Sequence, residues 1–416
     1  MELQRISIRG FKSIEDVIFE PKTGFSCLVG SNGAGKSNFC DALMFFKNVV
    51  IKGVSSAIQE IGDKSLLTDA EETSFSLKIK NHENLHEYEY FLSINIQASK
   101  IISERLVTNL FSLYSRKTDI VEKLNLDKFN NILEDLVHKI KFIENNKSYK
   151  SYKSKEYKNT LNSLIDFKKT IETIKTEVPE YLRENIQDEL SSDKTGLSSY
   201  FENEHIYEYI SNLNIFRINP LAPKIPNKII NKSNLSTYGE NLATILLELQ
   251  NNEDKWSTLH ELLNLIVPSI SEISLKKGEF DDSLSLHFKE DTRILPAISI
   301  SDGTIYTLAI LTAILWNQDK NSLIIIEEPE RGIHPQAIVE LISFIKEIIL
   351  ENTINVIVTT HSETVVRNCS LEELWLVDKI KGYTKLKNAK TSNPHLEESS
   401  LDQAWLMNLL NGGLPW

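Results

Sequence analysis

The segment Gly30–Ser37 constrains the fold of this chain more than any other part of its sequence. Its residues, GSNGAGKS, match the pattern G-x-x-x-x-G-K-[ST] and lie between an apolar stretch, Phe25–Val29, and a segment from Asn38 onward with a helical pattern. Such glycines let backbone N–H groups curl around a phosphate, and the helix N-terminus adds its positive dipole at the same place. A merely flexible turn is the alternative interpretation, which the flanking strand and helix disfavour. The segment therefore predicts a strand–loop–helix unit of an α/β fold.

A second segment supplies the acids that a phosphate loop needs. The apolar run Leu323–Ile326 predicts a strand buried on both faces, and Glu327 and Glu328 follow it directly. At the carboxyl edge of an open α/β sheet, Glu327 would act on Mg²⁺ together with Ser37, and Glu328 would polarise an attacking water. Two exposed acids ending a strand are the alternative, which the phosphate loop weakens.

Two further segments lie at positions where they could contact phosphate. Ser301, Asp302 and Gly303 precede an apolar helix, which makes them either a second phosphate-accepting helix start or an ordinary N-cap. His361 follows a buried strand, Asn355–Val358, and could contact a terminal phosphate, although a lone histidine at such a place is more often structural.

The order of these pieces resembles ABC-type ATPases of the SMC and RecF group. More narrowly, the motifs IRGFKSIED, GSNGAGKSN, SDGT, IEEPERGIHP and VTTHS resemble the RecF-like ATPases of the AAA15/AAA21 kind, which include relatives of the overcoming-lysogenization-defect ATPases. The resemblance covers about residues 1–95 and 235–380. It implies an α/β fold: an ABC-type ATPase head with a mixed sheet and an antiparallel β-subdomain, plus a helical insertion.

The resemblance also implies roles for individual residues. It assigns catalysis to Glu328 and His361, Mg²⁺ binding to Ser37 and Glu327, and the D-loop to Gly332–Pro335. The residues that it assigns to nucleotide binding are Lys12, Ser13, Gly30, Asn32, Gly33, Ala34, Gly35, Lys36, Ser37, Asn38, Ser301, Asp302 and Gly303. The implied cofactors are ATP and Mg²⁺. The implied assembly is a head-to-tail homodimer, or a higher homo-oligomer, with ATP held between the phosphate loop of one subunit and the signature, Ser301–Gly303, of another.

Two residues depart from the commonest family pattern, and the glutamine of the Q-loop has no decisive sequence context. Glu327 replaces the usual aspartate of the acidic strand, and Asp302 replaces a glycine of the signature; both changes are typical of this subgroup. Gln59 and Gln97 are the candidates for the glutamine of the Q-loop.

The sequence divides into three predicted regions. Residues 1–99 form the first part of the ATPase head, 100–212 a helical insertion, and 213–416 the second part of the head. Within the insertion, residues 139–175 hold ten lysines against four acidic residues, with interleaved tyrosines. This lysine-rich segment predicts either a DNA contact or an ordinary solvated helix face.

Composition limits the remaining function classes. The net charge of −12 argues against a general polyanion binder, and the absence of a long apolar run argues against a membrane segment or signal peptide. Three widely spaced cysteines indicate neither a disulfide framework nor a zinc site, so we expect a cytoplasmic protein. The overcoming-lysogenization-defect nucleases, which this chain resembles in its ATPase motifs, carry a Toprim nuclease domain after the ATPase. Only 55 residues follow His361 here, which is too few for such a domain. We therefore expect a separate effector protein in anti-phage defence, with a RecF-like DNA-repair ATPase that clamps DNA as the alternative.

Overall fold

The computed structural model describes residues 1–62, 64, 67, 68, 70–82, 86–108, 112–117, 120–122, 137, 193–200, 205–229, 234–278, 282–352, 354–393 and 401–414. The lysine-rich segment, residues 139–175, lies outside the described residues, whereas Val137, just before it, is described and is helical. Among the described helices, none combines the length and apolar character needed to cross a membrane.

The described chain alternates strands and helices. The strands are β1 (Glu2–Phe11), β2 (Ile14–Phe19), β3 (Phe25–Val29), β4 (Thr73–Lys80), β5 (Glu87–Asn95), β6 (Lys100–Thr108), β7 (Ser112–Lys117), β8 (Ile120–Glu122), β9 (Asn214–Phe216), β10 (Asn227–Lys228), β11 (Ile270–Lys277), β12 (Ser283–Glu290), β13 (Arg293–Pro296), β14 (Ser322–Glu327), β15 (Ile354–Thr360), β16 (Leu374–Ile380) and β17 (Tyr383–Asn388). The helices are α1 (Lys36–Lys52), α2 (Val54–Ile61), α3 (Gly196–Tyr200), α4 (His205–Ser211), α5 (Leu242–Leu249), α6 (Glu253–Ile266), α7 (Asp302–Asn317), α8 (Pro335–Glu351), α9 (Glu363–Arg367), α10 (Ala389–Ser392) and α11 (Leu401–Leu406).

A mixed sheet with the order β17-β16-β3-β15-β14-β9 forms the centre of the fold. All its neighbouring pairs are parallel except β16–β17, and β3 and β15 are buried along their whole length. Burial on both faces explains why β14 contains the uninterrupted apolar run Leu323–Ile326 rather than an alternating pattern. Because parallel strands end at the same edge, the segments that follow β3, β14, β15 and β9 meet there.

Alternate residues of the central strands face two hydrophobic cores. Ile324 and Ile326 pack into the core that contains α7, whereas Leu323 and Ile325 pack into the core that contains α1. Each fully buried side chain of this size contributes about 1.5–3 kcal/mol. The sheet is therefore clamped from both faces, which fixes the edge where its strands end.

A second sheet, with the order β2-β1-β4-β5-β6-β7-β8, is antiparallel. Strands β4 and β5 form an antiparallel pair, with Thr73–Lys80 alternating between buried and half-buried positions. Strand β6 continues this sheet beyond residue 99, where the sequence analysis begins the helical insertion. The sheet continues because Ile101 and Leu106 keep its apolar face buried. A third sheet pairs β12 with β10, β11 and β13, all antiparallel.

Glu104 fastens the antiparallel sheet to the chain that returns at residue 193. Its carboxylate is 1% exposed and accepts hydrogen bonds from the Tyr90 hydroxyl at 2.6 Å and from the backbone N–H groups of Gly196 at 2.8 Å and Leu197 at 3.0 Å. A carboxylate with this many donors is satisfied although it is buried, and the two N–H groups belong to the otherwise unpaired first turn of α3.

We predict that Glu104→Ala lowers the free energy of unfolding by about 3 kcal/mol, because it leaves buried donors without an acceptor. Urea denaturation measures this change. Arg105→Ala, on the same strand but exposed, is the matched control and should change stability by less than about 0.5 kcal/mol. Equal unfolding midpoints for the two variants would contradict this role of Glu104.

Candidate functional site

The loop Gly30–Ser37 follows β3 and passes directly into α1. Gly33 and Gly35 have φ angles of +78° and +112°, in the left-handed region that glycine adopts without strain. A Cβ on Gly35 would lie 1.9 Å from the Thr384 hydroxyl oxygen, whereas one on Gly33 would meet nothing within 4 Å. The loop is thus packed on the side of β17 and open at Gly33, an arrangement that leaves space for a phosphate group beside the start of α1.

Lys36 is the first residue of α1 and is only 7% exposed. Its ammonium donates hydrogen bonds to the carbonyl oxygens of Gly30 and, at 3.1 Å, Ser31. Burial lowers the pKa of Lys36, and nearby carboxylates, Glu328 first among them, oppose this shift. Backbone carbonyl oxygens therefore hold the Lys36 ammonium at the loop. In this position the ammonium can exchange these oxygens for those of a phosphate.

Ser37 and Glu327 come together at the edge of the sheet. The Ser37 hydroxyl donates to Oε2 of Glu327 at 3.2 Å, which joins the second residue of α1 to the last residue of β14. A hydroxyl and a carboxylate so close can share one hard cation, and oxygen ligands of this kind suit Mg²⁺. The described residues contain no group of three or more His, Cys, Asp and Glu side chains arranged to hold a metal. Mg²⁺ is usually bound by one or two protein ligands, with phosphate and water oxygens as its other ligands.

Arg217 and Asp41 belong to the same cluster of polar side chains as Ser37 and Glu327, and neither was predicted from the sequence. Arg217 follows β9 and donates from Nε to Oε1 of Glu327 at 2.7 Å and from Nη2 to the carboxylate of Asp41. Asp41 also accepts from the ammonium of Lys12. Burial alone would lower the pKa of Arg217, but Glu327 and Asp41 raise it above its ordinary value. Neither residue belongs to a motif that the sequence makes recognisable.

Glu328 is aimed by an unusual backbone conformation. Its φ angle is +51°, a left-handed conformation that costs a non-glycine residue of the order of 1–3 kcal/mol. Its N–H donates to the Thr359 carbonyl at 2.8 Å, and the Tyr306 hydroxyl lies 2.8 Å from the carbonyl oxygen of Glu327 and 2.9 Å from that of Glu328. Burial raises the pKa of Tyr306, so its hydroxyl keeps the proton that it donates. Tyr306, which looks like a core residue in the sequence, therefore supports this backbone.

His361 faces two acids on the neighbouring strand end. Its Nδ1 lies 3.6 Å from Oε1 of Glu328 and 3.7 Å from Oε1 of Glu330. Glu330 is itself fixed, because its Oε1 accepts from the Thr360 hydroxyl at 2.6 Å and from the His361 N–H at 3.2 Å. The structure thus brings the predicted catalytic pair, Glu328 and His361, together, with Glu330 as an additional acid.

A chain of hydroxyl groups joins Ser13 to the phosphate loop. The amide of Asn38 donates to the Ser13 hydroxyl at 2.6 Å, which lies 2.7 Å from the Thr384 hydroxyl, and Thr384 donates to the Ala34 carbonyl at 3.0 Å. Since the hydroxyl of Thr384 has one proton, the Ser13 hydroxyl is the donor between the two. Thr384, on β17 and far away in sequence, carries no motif that could have identified it.

Ser301, Asp302 and Gly303 form the start of α7. The Ser301 hydroxyl accepts from the Thr304 N–H at 3.2 Å, so Ser301 is an N-cap, and both Ser301 and Asp302 are exposed. The ammonium of Lys224 donates to the Asp302 carboxylate and to the Ile300 carbonyl, both at 2.6 Å. Ser301 and Asp302 are therefore accessible at the surface of the chain, at the start of α7.

Gly303 is packed against the D-loop predicted at Gly332–Pro335. A Cβ on Gly303 would lie 2.1 Å from the carbonyl oxygen of Gly332, whose φ angle of +72° also favours glycine. The close approach of these two backbones requires that both residues lack a side chain.

The two glutamines proposed for the Q-loop lie away from this arrangement. Gln59 is exposed on α2, and Gln97 lies in the turn after β5, where its amide donates to the Thr68 carbonyl at 3.2 Å. The described residue that contacts Glu327 from the end of β9 is Arg217, which directly follows this strand. Asn32 is exposed on the loop, as a ligand contact requires.

We predict that Thr384→Val lowers the free energy of unfolding by about 1–2 kcal/mol, because the buried Ala34 carbonyl loses its donor and Ser13 its acceptor. Urea denaturation measures the effect. Thr384→Ser, which keeps the hydroxyl, is the control and should recover most of the loss. A serine variant as unstable as the valine variant would show that packing, not the hydroxyl chain, is what matters.

Comparisons with known proteins identify the family and the fold of this chain. The family described as "AAA domain, putative AbiEii toxin, Type IV TA system" matches residues 25–367, which is more than half of the chain. This range includes the phosphate loop, the signature, Glu327, Glu328 and His361.

Two relatives place the fold. A segment of 45 residues is 40% identical to the DNA replication and repair protein RecF of Chloroherpeton thalassium, and it spans 11% of this chain and 12% of that protein. The alignment thus covers only about one eighth of the length of that relative. A solved structure of an SMC head bound to the C-winged helix domain of ScpA superposes with a TM-score of 0.52 and 13% identity, covering 93% of this chain and 97% of that chain. At this identity the likeness concerns the fold alone.

The family match, the RecF similarity and the SMC-head fold confirm the predicted resemblance and, for the described residues, the predicted α/β fold of an ABC-type ATPase head. The chain therefore belongs to the AAA domain family that matches residues 25–367, and it has the fold of an ABC-type ATPase head of the RecF and SMC type.

Proposed function

We propose that this chain binds ATP with Mg²⁺ and hydrolyses it to ADP and phosphate. The observation that supports the proposal best is the convergence of Lys36, Ser37, Glu327, Glu328 and His361 at one sheet edge. Family membership favours nucleotide binding. The geometry adds a cation, Lys36, a pair of oxygen ligands for Mg²⁺, Ser37 and Glu327, and a carboxylate base, Glu328. A chain that had lost turnover would have no need to hold Glu328 in a strained backbone conformation.

In this proposal each residue has a distinct task. The backbone N–H groups of the loop and the ammonium of Lys36 bind the phosphate oxygens. Ser37 and Glu327 would hold Mg²⁺, which neutralises negative charge on the phosphates when bound. Glu328 orients and polarises the attacking water, and His361 donates from its ring toward the terminal phosphate. Lys12, Ser13 and Asn38 line the nucleotide site beside the phosphate loop.

We further propose that two or more copies assemble head to tail around ATP. Ser301 and Asp302 are exposed at a helix N-terminus, where the positive end of the dipole would favour a phosphate bound by another subunit. Gly303 is pressed against Gly332, so the signature and the D-loop would move toward the partner together. Nucleotide bound between subunits would make the assembly depend on ATP.

The cellular role that we propose is regulation of a separate effector, a nuclease or toxin, in anti-phage defence by a cytoplasmic ATPase. The family description, which names a toxin and a type IV toxin–antitoxin system, supports a link to an effector. The RecF similarity supports the alternative, a DNA-repair or maintenance ATPase that clamps DNA directly. The lysine-rich segment at residues 139–175 would provide the DNA contact in that case.

We predict that Glu328→Gln keeps ATP binding but slows hydrolysis by at least about 100-fold, because the amide cannot accept a proton from water. Lys36→Ala should instead abolish binding, since it removes a charge that faces several phosphate oxygens. Phosphate release and binding of a fluorescent ATP analogue separate the two effects. Glu347→Gln, on the exposed face of α8, is the control and should behave like the wild type. Hydrolysis by Glu328→Gln at the wild-type rate would remove Glu328 from catalysis.

For the cellular role, we predict that tagged Glu328→Gln protein, purified from its host with Mg-ATP, retains a second polypeptide in fixed ratio. The slowed enzyme should keep the ATP-bound assembly intact, and native mass spectrometry identifies its components. The same purification with Lys36→Ala is the control and should lose the partner. Retention of DNA alone, released when ATP is removed, would contradict the effector role and favour the DNA clamp.

A further inference from the structure

Strand register brings Arg217 close to Ser37 and Glu327, the two residues that would hold Mg²⁺. Strand β9 pairs in parallel with β14, with Phe216 beside Ile326, so Arg217 and Glu327 are level with each other at the carboxyl edge. The backbone N–H of Arg217 donates to the Thr237 carbonyl at 2.8 Å, which fixes the chain where it leaves the strand. The position of the arginine is therefore set by the sheet rather than by a flexible loop.

The guanidinium lies between two carboxylates that belong to different elements. Its Nε donates to Oε1 of Glu327 on β14, and its Nη2 donates to Asp41 on α1. The side chains of Arg217, Asp41 and Glu327 are 29%, 19% and 13% exposed, so water screens these ion pairs less than it screens surface pairs. Lys12 supplies a second cation to Asp41, so the cluster holds two cations and two carboxylates.

The two oxygens of Glu327 have different partners. Oε1 faces Arg217, whereas Oε2 faces the hydroxyl of Ser37. The side chain of a glutamate has one more methylene, and so one more rotatable bond, than that of an aspartate. A side chain with that freedom requires an external contact to present one oxygen in a fixed direction.

We propose that Arg217 is a positioning residue for the magnesium ion of bound Mg-ATP: it holds Oε1 of Glu327, so that Oε2 is the oxygen presented beside Ser37. This inference rests on the proposed nucleotide binding. An arginine suits the task because its planar fork bonds two carboxylates at once, which a lysine ammonium does with less geometric control. Asp41, one helical turn after Ser37 on α1, fixes the other side of the fork.

The test is a Mg²⁺ titration of the binding of a fluorescent, non-hydrolysable ATP analogue to the full chain. For Arg217→Gln we expect the Mg²⁺ concentration at half-saturation to rise by about tenfold, the scale typical of residues that orient a metal ligand. Affinity for the analogue in EDTA should change by less than about twofold. Arg217→Lys should lie between wild type and Arg217→Gln, because it keeps the charge without the fork.

Two controls separate positioning from a general structural effect. Arg9→Gln breaks an exposed ion pair with Asp16 and should leave the titration unchanged. In a Glu327→Gln background, Arg217→Gln should add little to the Mg²⁺ requirement, because the oxygen that it positions is no longer part of a carboxylate.

The outcomes distinguish this inference from the proposed function. Wild-type protein that binds no nucleotide, with or without Mg²⁺, would overturn both. Mg²⁺-dependent binding in the wild type with an equal Mg²⁺ requirement in Arg217→Gln would overturn the role of Arg217 alone. An equal loss of affinity in EDTA and in Mg²⁺ would also overturn it, because a positioning residue acts through the ion.

Discussion

The parallel pairing of β3, β15, β14 and β9 is the constraint on which the rest of this structure depends. Parallel register brings the carboxyl ends of all four strands to one edge, and the phosphate loop, His361, Glu328 and Arg217 each follow one of them. Residues that are far apart in sequence become neighbours through backbone hydrogen bonds alone. The two cores that clamp the sheet hold this edge in place, so the site inherits its precision from buried Ile, Leu and Val.

Electrostatics then fixes the side chains at that edge. Lys36 is buried among backbone carbonyls, and Glu327 is held between a hydroxyl and a guanidinium. Such polar groups are costly to bury unless each finds a partner, and here the partners come from different strands and helices. The strained φ angle of Glu328 has support of the same kind from Tyr306 and Thr359. Contacts between different strands and helices therefore fix the positions of the charged groups at this edge.

Local motifs explain what could be predicted from the sequence. The strands around Gly30–Ser37 and Glu327, and the N-cap at Ser301, depend on short-range patterns of apolar, glycine and acidic residues. Arg217, Asp41 and Thr384 could not be found in this way, because their roles arise from strand register and from contacts across as many as 371 residues. The strand at Lys100–Thr108 was missed for a similar reason: its pairing with β5 decides its conformation more than its own pattern does. The helical insertion stays a prediction.

The most direct test of the account is a structure of the protein with Mg²⁺ and a non-hydrolysable ATP analogue. The account predicts the β- and γ-phosphates within the loop Gly30–Ser37 beside Lys36, and the ion between Ser37 and Oε2 of Glu327. It further predicts Arg217 still on Oε1. A nucleotide bound elsewhere, or an ion with no contact to Ser37 or Glu327, would contradict it.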